Sequence, residues 1–587
     1  MNTNMILSAS GWRKVFAISG QEQDHTTLIG ETNIAISIYS ASVFADYVKE
    51  QTGKSKPVIL LGMDARPTGP AIAEAAIKTF IKKDVELKFI GITAAPEIMA
   101  FSREADGFMY ISASHNPIGH NGIKFGLSSG GVLNGTENAK LVQKFNALCN
   151  QDEAEKKAFD IIHYVSEDKI AQIYKNVSII KQNALDSYKN FLKWTITACT
   201  QKAEQDKIFS LLKKSISEKK IGIVCDMNGS ARADSVDNSF YKEYGINFYA
   251  INNKAGNIVH EIIPESENLI YVAQEMERLQ KEGHKDAILG YMPDCDGDRG
   301  NIVYWDEKEN KAVILKAQEV FSLSVLAELS YSAWLNKDNP DFKSAVCVNC
   351  PTSMRIEELA ERLNAKVFRA EVGEANVVNL AQETREKGYD VRIFGEGSNG
   401  GTITYPSAVR DPINTIFAII KLLSIQDLYK NWCAASGITY PQNFSLTDVL
   451  NTIPSYTTTG VSEPRAILHI QTKDHAVLKS KFQKIFENQW KEKKDFLENY
   501  GIDSYIAITT NGTKETRDIT DYSISGKGGL KILFMDKSGK ADSFIWMRGS
   551  GTEPVFRIMC DVKGVNQKKE KDLLAWLTEM LEASDKQ

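Results

Sequence analysis

Three times along this chain an apolar run ends in Asp or Asn, an amphipathic stretch follows, and a second apolar run comes after it. The first set is Val58-Ile59-Leu60-Leu61-Gly62-Met63-Asp64, then 70–82 with Ile72, Ala76, Ile77, Phe80 and Ile81 on one helical face, then an alternating strand over 85–92. The second is Ile221-Gly222-Ile223-Val224-Cys225-Asp226, with a helix near 234–244 and a strand over 246–251. The third is Ala345-Val346-Cys347-Val348-Asn349, with a helix near 354–363 and a strand over 365–369. Short apolar runs separated by amphipathic helices predict parallel strands covered by helices. A polar residue at the carboxyl end of such a strand falls where these sheets place ligands. After about 438 the pattern changes: helices near 474–488 and 568–583 flank β-type runs at 529–534 and 555–559. The fold class is α/β, with three tandem related α/β domains of mixed, mainly parallel sheets and a smaller C-terminal α+β domain.

A length of 587 residues agrees with that division, since about 150 residues per domain gives about four. The boundaries are set at 1–183, 184–310, 311–437 and 438–587. The stretch 150–217 is rich in Lys, Glu and Gln, as in Asp152-Glu153-Ala154-Glu155-Lys156-Lys157, and is read as a helical linker plus insertion with a solvated charged face. With 70 Lys+Arg against 75 Asp+Glu the net charge is −5, so the basic excess of a nucleic-acid binder is missing. The apolar run Ile416-Phe417-Ala418-Ile419-Ile420 stops at Lys421, far short of a membrane span, and Met1-Asn2-Thr3-Asn4-Met5 lacks the layout of a secretory signal. The expectation is a soluble cytoplasmic protein with no membrane partner. Eight scattered cysteines fit a reducing compartment, and Cys347-Val348-Asn349-Cys350, with no second pair, reads as buried thiols rather than a zinc or redox site.

Four loops carry chemistry. In Tyr110-Ile111-Ser112-Ala113-Ser114-His115-Asn116-Pro117 a strand delivers a small-residue turn with hydroxyls and an imidazole, and Lys124 follows in Asn121-Gly122-Ile123-Lys124. No G-x-S-x-G elbow is present, which disfavours acyl transfer. In Asp294-Cys295-Asp296-Gly297-Asp298-Arg299 three carboxylates repel one another, and a hard divalent cation is the usual remedy. An EF-hand fails there, because Arg299 replaces its glycine and Trp305 its last glutamate. A phosphatase loop with Asp294 as nucleophile stays open as a rival. Gly395-Glu396-Gly397-Ser398-Asn399-Gly400-Gly401 sets a carboxylate and a hydroxyl on a flexible backbone suited to paired sugar hydroxyls. Arg548-Gly549-Ser550-Gly551-Thr552-Glu553-Pro554, with Arg557 beyond it, offers backbone N–H groups, hydroxyls and guanidiniums to a phosphate.

Taken together and in order, these loops resemble the α-D-phosphohexomutase superfamily, the phosphoglucomutase/phosphomannomutase family. Ser10-Gly11-Trp12-Arg13, Gly62-x-Asp64-x-Arg66 and Asp226-Met227-Asn228-Gly229 look like further motifs of that family. The resemblance implies four domains around one central cleft and an enzyme that interconverts hexose 1-phosphate and hexose 6-phosphate. It implies a phosphoryl group on Ser114, Mg²⁺ held by Asp294, Asp296, Asp298 and the Ser114 phosphate, and a hexose 1,6-bisphosphate as activator and intermediate. Arg66, His115, Lys124 and Arg299 would be cationic or proton-handling groups, with Lys124 as acid/base and Arg66 near the transferred group. Glu396 and Ser398 would hold sugar hydroxyls; Arg548, Ser550, Gly551, Thr552 and Arg557 would hold the non-reacting phosphate. The chain departs from the family at Asn399-Gly400, at Glu371 and Glu374 in the loop before it, and at Gly549, where Pro or Lys is common. Glucose is the favoured sugar, with mannose second and phosphoglucosamine the alternative. A phosphosugar-binding sensor without turnover is a further alternative. A monomer or small homo-oligomer with a phosphosugar as its partner is expected.

Overall fold

The apolar runs become strands because they have no polar face to give to water. Val58–Met63 lies between Gly107–Ile111 and Glu86–Ile92, parallel to both, in a six-stranded sheet. His120–Leu127, Gly11–Val15 and Ile6–Ser8 extend that sheet as antiparallel strands beyond Gly107–Ile111. The helices Gly30–Thr52 and Gly69–Lys82 close a core that includes Trp12, Phe44, Phe125 and Phe145. The Trp12 indole sits 4.9 Å from the Phe125 ring and donates to Asn138 Oδ1 at 2.9 Å, which ties the N-terminal strand to the helix Gly135–Cys149.

A computed structural model describes residues 1–550 and 555–586. The chain divides into two compact units: Met1–Leu315 with Ile403–Ile425, and Lys316–Thr402 with Gln426–Gln587. The first unit also holds a five-stranded sheet in the order Lys311–Ile314, Gly300–Asp306, Ala287–Pro293, Gly222–Asp226, Asn247–Ile251. Gly222–Asp226 is parallel to both neighbours, whereas Gly300–Asp306 returns antiparallel. The second unit has a four-stranded sheet in the order Ala365–Ala370, Ser344–Asn349, Asp390–Glu396, Gly401–Thr404. It also has a seven-stranded sheet with Ala541–Gly549 and Phe556–Lys563 near its middle. The helices His475–Glu492 and Gln567–Lys586 cover that sheet with Phe482, Phe486, Trp576 and Leu577. Both β-helix-β and all-antiparallel layers are thus present, and the mixed α/β class holds.

One expectation is corrected. The segment 150–217 forms the helices Ala154–Ile161, Glu167–Lys175, Val177–Thr197 and Lys202–Lys219, and the third is no solvated appendage. Its Ala184, Tyr188 and Leu192 are fully buried, and Ala184 shares a core with Leu60, Ile98, Phe108 and Tyr110. Lys181 Nζ lies 2.7 Å from Glu97 Oε1, whose carboxylate also accepts from Ser235. The charged composition describes the outer faces only; a narrow apolar stripe does the packing. Cys347 and Cys350 are buried thiols, as expected, and burial raises the pKa of each. Among the described residues no helix is long and apolar enough to cross a membrane.

Tyr188 tests this correction. Its hydroxyl donates to Asp411 Oδ2 at 2.7 Å, and both groups are buried. Tyr188→Phe strands a buried carboxylate oxygen and is expected to lower unfolding free energy by about 1–3 kcal/mol in urea titration. Tyr164→Phe, at an 87% exposed position, is the control and should change nothing. Equal stability of the two variants would return the segment to the role of a solvated insertion.

Candidate active site

Ser114 stands in a turn that the sequence holds under strain. The strand Gly107–Ile111 ends at Ser112, and Ser114 then takes φ 55, in the left-handed region. For a residue with a Cβ this costs roughly 1–2 kcal/mol. The turn is held by its neighbours: the Ser112 hydroxyl accepts from Ser114 N at 2.8 Å and itself donates to Asp296 Oδ2 at 3.0 Å. Beneath it lies Arg66, with its side chain fully buried. Its guanidinium donates to the carbonyls of Ser114 (2.7 Å), Asn116 (2.6 Å), Pro117 (2.6 Å) and His120 (3.3 Å), and to Asp64 Oδ2 (3.2 Å). Arg66 thus lies against Ser114, with its donors committed to the carbonyls that shape the serine loop.

The strand Ala287–Pro293 delivers the carboxylate loop against this turn. The Ser114 hydroxyl donates to Asp294 Oδ2 at 2.7 Å, although the two residues are 180 positions apart. Asp294, Asp296 and Asp298 are all buried, and one carboxylate oxygen from each lies within 4.8 Å of the others. Burial, then repulsion from Asp296 and Asp298, pushes the Asp294 carboxyl well above the ordinary carboxylate range. Burial also acts against Asp296, but Lys124 and Arg410 outweigh it and hold that carboxyl low. Among the described residues, Asp296 Oδ1 and Asp298 Oδ1 are buried without a hydrogen-bond partner. Hard, crowded and under-satisfied oxygens on three carboxylates fit a divalent cation of the magnesium type.

Cations surround the cluster. Lys124 Nζ lies 2.7 Å from Asp296 Oδ2 and 3.8 Å from Asp298 Oδ2. Burial pulls its pKa down, but the two aspartates outweigh that and keep it an ammonium. Arg299 approaches Asp294 Oδ2 at 4.0 Å. The His115 imidazole is held neutral: Arg299, burial, Arg13 and Arg410 all lower its pKa, and its Nδ1 is buried without a partner among the described residues.

Two site cations were not assigned from the sequence. Arg410 Nη2 meets Asp298 Oδ2 at 2.9 Å, and Arg13 feels the fields of both Asp296 and Asp298. Arg13 carried a signal, the Ser10-Gly11-Trp12-Arg13 motif, but Arg410 carried none. A third missed group is Arg232, fully buried, which donates to the Gly297 carbonyl at 3.0 Å and pairs with Asp237 at 2.9 Å. Gly297, at φ 71, leaves it room: a Cβ there would lie 2.3 Å from the Arg232 side chain. Arg232 also reaches Asp411, the N-cap of the helix Pro412–Ser424, so that helix, the carboxylate loop and Tyr188 share one buried network.

In the second unit, Asn349 closes the strand Ser344–Asn349 and organises the glycine-rich loop. Its amide donates to Glu396 Oε1 and to Ser398 Oγ, both at 3.1 Å, while Thr352 Oγ1 donates to Asn349 Oδ1 at 2.6 Å. Glu396 also accepts from Gly373 N at 2.8 Å and from the Asn399 amide at 3.2 Å, so the residue that departs from the family pattern joins the same cluster. Arg548 and Arg557 are directly opposite each other on adjacent antiparallel strands. Like charges so placed are unfavourable by themselves and suit an anion. Arg557 donates to the Val461 carbonyl at 2.6 Å, and Ser550 N donates to Val555 O at 2.8 Å. Gly551 and Thr552 lie outside the described residues. Glu371 faces the phosphate loop rather than standing free for a sugar: its carboxylate lies 3.1 Å from Arg548 Nε and accepts from Gly529 N (2.6 Å) and Thr510 Oγ1 (3.0 Å).

Family models match the chain twice: phosphoglucomutase/phosphomannomutase α/β/α domain I over residues 18–152, and domain III over 324–433. A phosphoglucosamine mutase from Ruminiclostridium cellulolyticum is 34% identical over 26% of this chain and 31% of its own. A phosphoglucomutase/phosphomannomutase from Thermococcus kodakarensis is 23% identical over 89% of both chains. The stretches shared with several clostridial phosphoglucosamine mutases span less than two thirds of those proteins' length, for example 49% in Clostridium novyi and 63% in Acetivibrio thermocellus. Among solved structures, the phosphoglucomutase parafusin from Paramecium superposes with a TM-score of 0.59 at 16% identity, covering 99% of this chain and 95% of its own. A phosphoglucomutase/phosphomannomutase family protein from Burkholderia thailandensis gives 0.58 at 16% identity, covering 99% and 97%. The chain carries domains I and III of the phosphoglucomutase/phosphomannomutase family, and its fold is the one these solved structures share.

Proposed function

We propose that the protein is a phosphohexomutase that interconverts hexose 1-phosphate and hexose 6-phosphate, with glucose as the preferred sugar and mannose second. The observation that carries this reading is the Ser114 hydroxyl bonded to Asp294 within a buried, cation-ringed aspartate cluster. In the first half-reaction the bond between phosphorus and Ser114 Oγ breaks as a bond forms from phosphorus to the free sugar hydroxyl, giving a hexose 1,6-bisphosphate. The hydroxyl proton passes to the neutral His115 imidazole, whose unpartnered Nδ1 can accept it. The second half-reaction reverses these steps with the other phosphate, and Ser114 is phosphorylated again. Asp294, Asp296 and Asp298 would hold Mg²⁺ together with the serine phosphate; when bound, Mg²⁺ supplies electrostatic stabilisation to the phosphoryl oxygens. Lys124, already an ammonium, adds positive charge beside the same oxygens and need not exchange its proton.

Arg548 and Arg557 serve the phosphate that does not react, with Ser550, Gly551 and Thr552 as further donors. A remote anchor suits a substrate that binds in two orientations, because it is indifferent to which end reacts. Glu396 and Ser398, both bonded by the Asn349 amide, would hold the sugar hydroxyls. Asn399-Gly400 stands where the family commonly has Gly-His, and this departure is the ground for preferring glucose to glucosamine.

The reading is tested by incubating the protein with glucose 1,6-bisphosphate and Mg²⁺, then with glucose, mannose, glucosamine and N-acetylglucosamine 1-phosphates. A phosphate-sized mass increment on the intact chain is expected in the wild type and not in Ser114→Ala, together with turnover fastest on glucose 1-phosphate. Activity retained by Ser114→Ala would point to the aspartate-nucleophile phosphatase, and no turnover on any sugar would overturn the mutase reading. Fastest turnover on glucosamine 1-phosphate would keep the class and overturn the sugar. Chelation of divalent cations should lower turnover by at least about 10²-fold, with recovery on adding Mg²⁺.

A further inference from the structure

The carboxylate loop is held by its backbone as well as by the charges around it. Three successive carbonyls are engaged: Cys295 O accepts from Ala231 N at 3.0 Å, Asp296 O from Ala95 N at 2.8 Å, and Gly297 O from Arg232 Nη1 at 3.0 Å. Gly297 N in turn donates to Asp294 O at 3.0 Å. With those carbonyls engaged, the loop offers a cation its carboxylate oxygens. Where these oxygens stand depends on the three outside donors. Two of the donors are backbone N–H groups, and Arg232 is the side chain of the set.

Arg232 is itself fixed from several directions, with its side chain buried. Its Nε lies 2.9 Å from Asp237 Oδ1, its Nη2 donates to the Tyr188 hydroxyl at 3.3 Å, and its Nη1 reaches Asp411 Oδ1 at 3.5 Å. Asp237 Oδ1 also accepts from the Tyr291 hydroxyl, and Tyr291 lies on Ala287–Pro293, the strand that leads into the carboxylate loop. The Tyr188 hydroxyl donates to Asp411 Oδ2 at 2.7 Å, and Arg410, next to Asp411, meets Asp298 Oδ2 at 2.9 Å. A guanidinium carries its donors in one rigid plane, so partners that bind it from different elements fix its direction. The helix Val177–Thr197, the helix Pro412–Ser424 and the strand before the loop thus meet at one side chain.

We propose that Arg232 is a positioning residue for the divalent-cation site: by holding the Gly297 carbonyl it sets the spacing of the Asp296 and Asp298 carboxylates, and Tyr188 and Asp411 hold it in turn. The helix Val177–Thr197 thereby contributes to cation affinity from outside the loop. This rests on the reading of the three aspartates as a cation site, and not on which sugar is turned over.

The test is Mn²⁺ binding to the intact protein, read by electron paramagnetic resonance, with urea unfolding measured alongside. Arg232→Lys keeps the charge but has one nitrogen to share among the acceptors that Arg232 serves. It is expected to raise the Kd for Mn²⁺ by at least about tenfold, the usual effect of losing a group that orients metal ligands. Tyr188→Phe leaves Arg232 in place and removes one of its supports, so it should raise the Kd by a smaller factor. Leu192→Ala is the control: Leu192 is fully buried one turn further along the same helix, so its loss should lower stability and leave the Kd unchanged. Should Arg232→Lys fail to fold, Tyr188→Phe against Leu192→Ala decides alone. An unchanged Kd in the folded variants, or a Kd that rises in Leu192→Ala as much as in Tyr188→Phe, overturns the proposal. A wild-type chain that binds no Mn²⁺ overturns the cation reading and this inference with it. Mn²⁺ binding without turnover of any sugar overturns the mutase reading alone.

Discussion

Three buried carboxylates within 4.8 Å of one another are the constraint around which the first unit is arranged. Two like charges 4 Å apart repel by about 4 kcal/mol at an effective dielectric of 20, so the group survives only with compensation built in. The compensation arrives from separate stretches of chain: Lys124 from the strand His120–Leu127, Arg410 from the segment before the helix Pro412–Ser424, and Arg13 from the strand Gly11–Val15. Arg299 comes from the carboxylate loop itself. Each is carried by an element anchored elsewhere in the core, so the electrostatics and the packing enforce the same arrangement. Arg232 extends this to the loop backbone, gripping the Gly297 carbonyl while paired to Asp237.

The second unit follows the opposite electrostatic logic. There the crowded charges are positive, with Arg548 opposite Arg557, and the Glu371 carboxylate restrains the first of them. Glu371 is bonded as well to Gly529 N and Thr510 Oγ1, so it joins the loop that follows the strand Ala365–Ala370 to the seven-stranded sheet. A glutamate at this position acts directly on Arg548, and through it on the loop that follows the strand Ala541–Gly549.

Much of this was legible because local pattern and site coincide. Asp64, Asp226, Asp294 and Asn349 close strands whose apolar runs are plain in the sequence, and each lies at the carboxyl end of a sheet. What was not legible depends on long-range geometry. Arg410 follows an unremarkable Ser-Ala-Val stretch, and nothing near it in the chain says that Asp298, 112 positions away, is its partner. Arg66 is a related case: its motif marks importance, but only the fold shows that its donors are spent on loop carbonyls. The helix Val177–Thr197 was hidden by composition, since Ala184, Tyr188 and Leu192 are few among many Lys, Gln and Asn.

The left-handed backbone at Ser114 also limits how this centre could have been built. A β-branched side chain is poorly tolerated at φ 55, so threonine, with the same hydroxyl, is not an equivalent carrier. Glycine would relieve the strain and remove the hydroxyl in one step. The position is therefore one where selection for a firmer fold and selection for chemistry pull in opposite directions, and the serine records which of them prevailed.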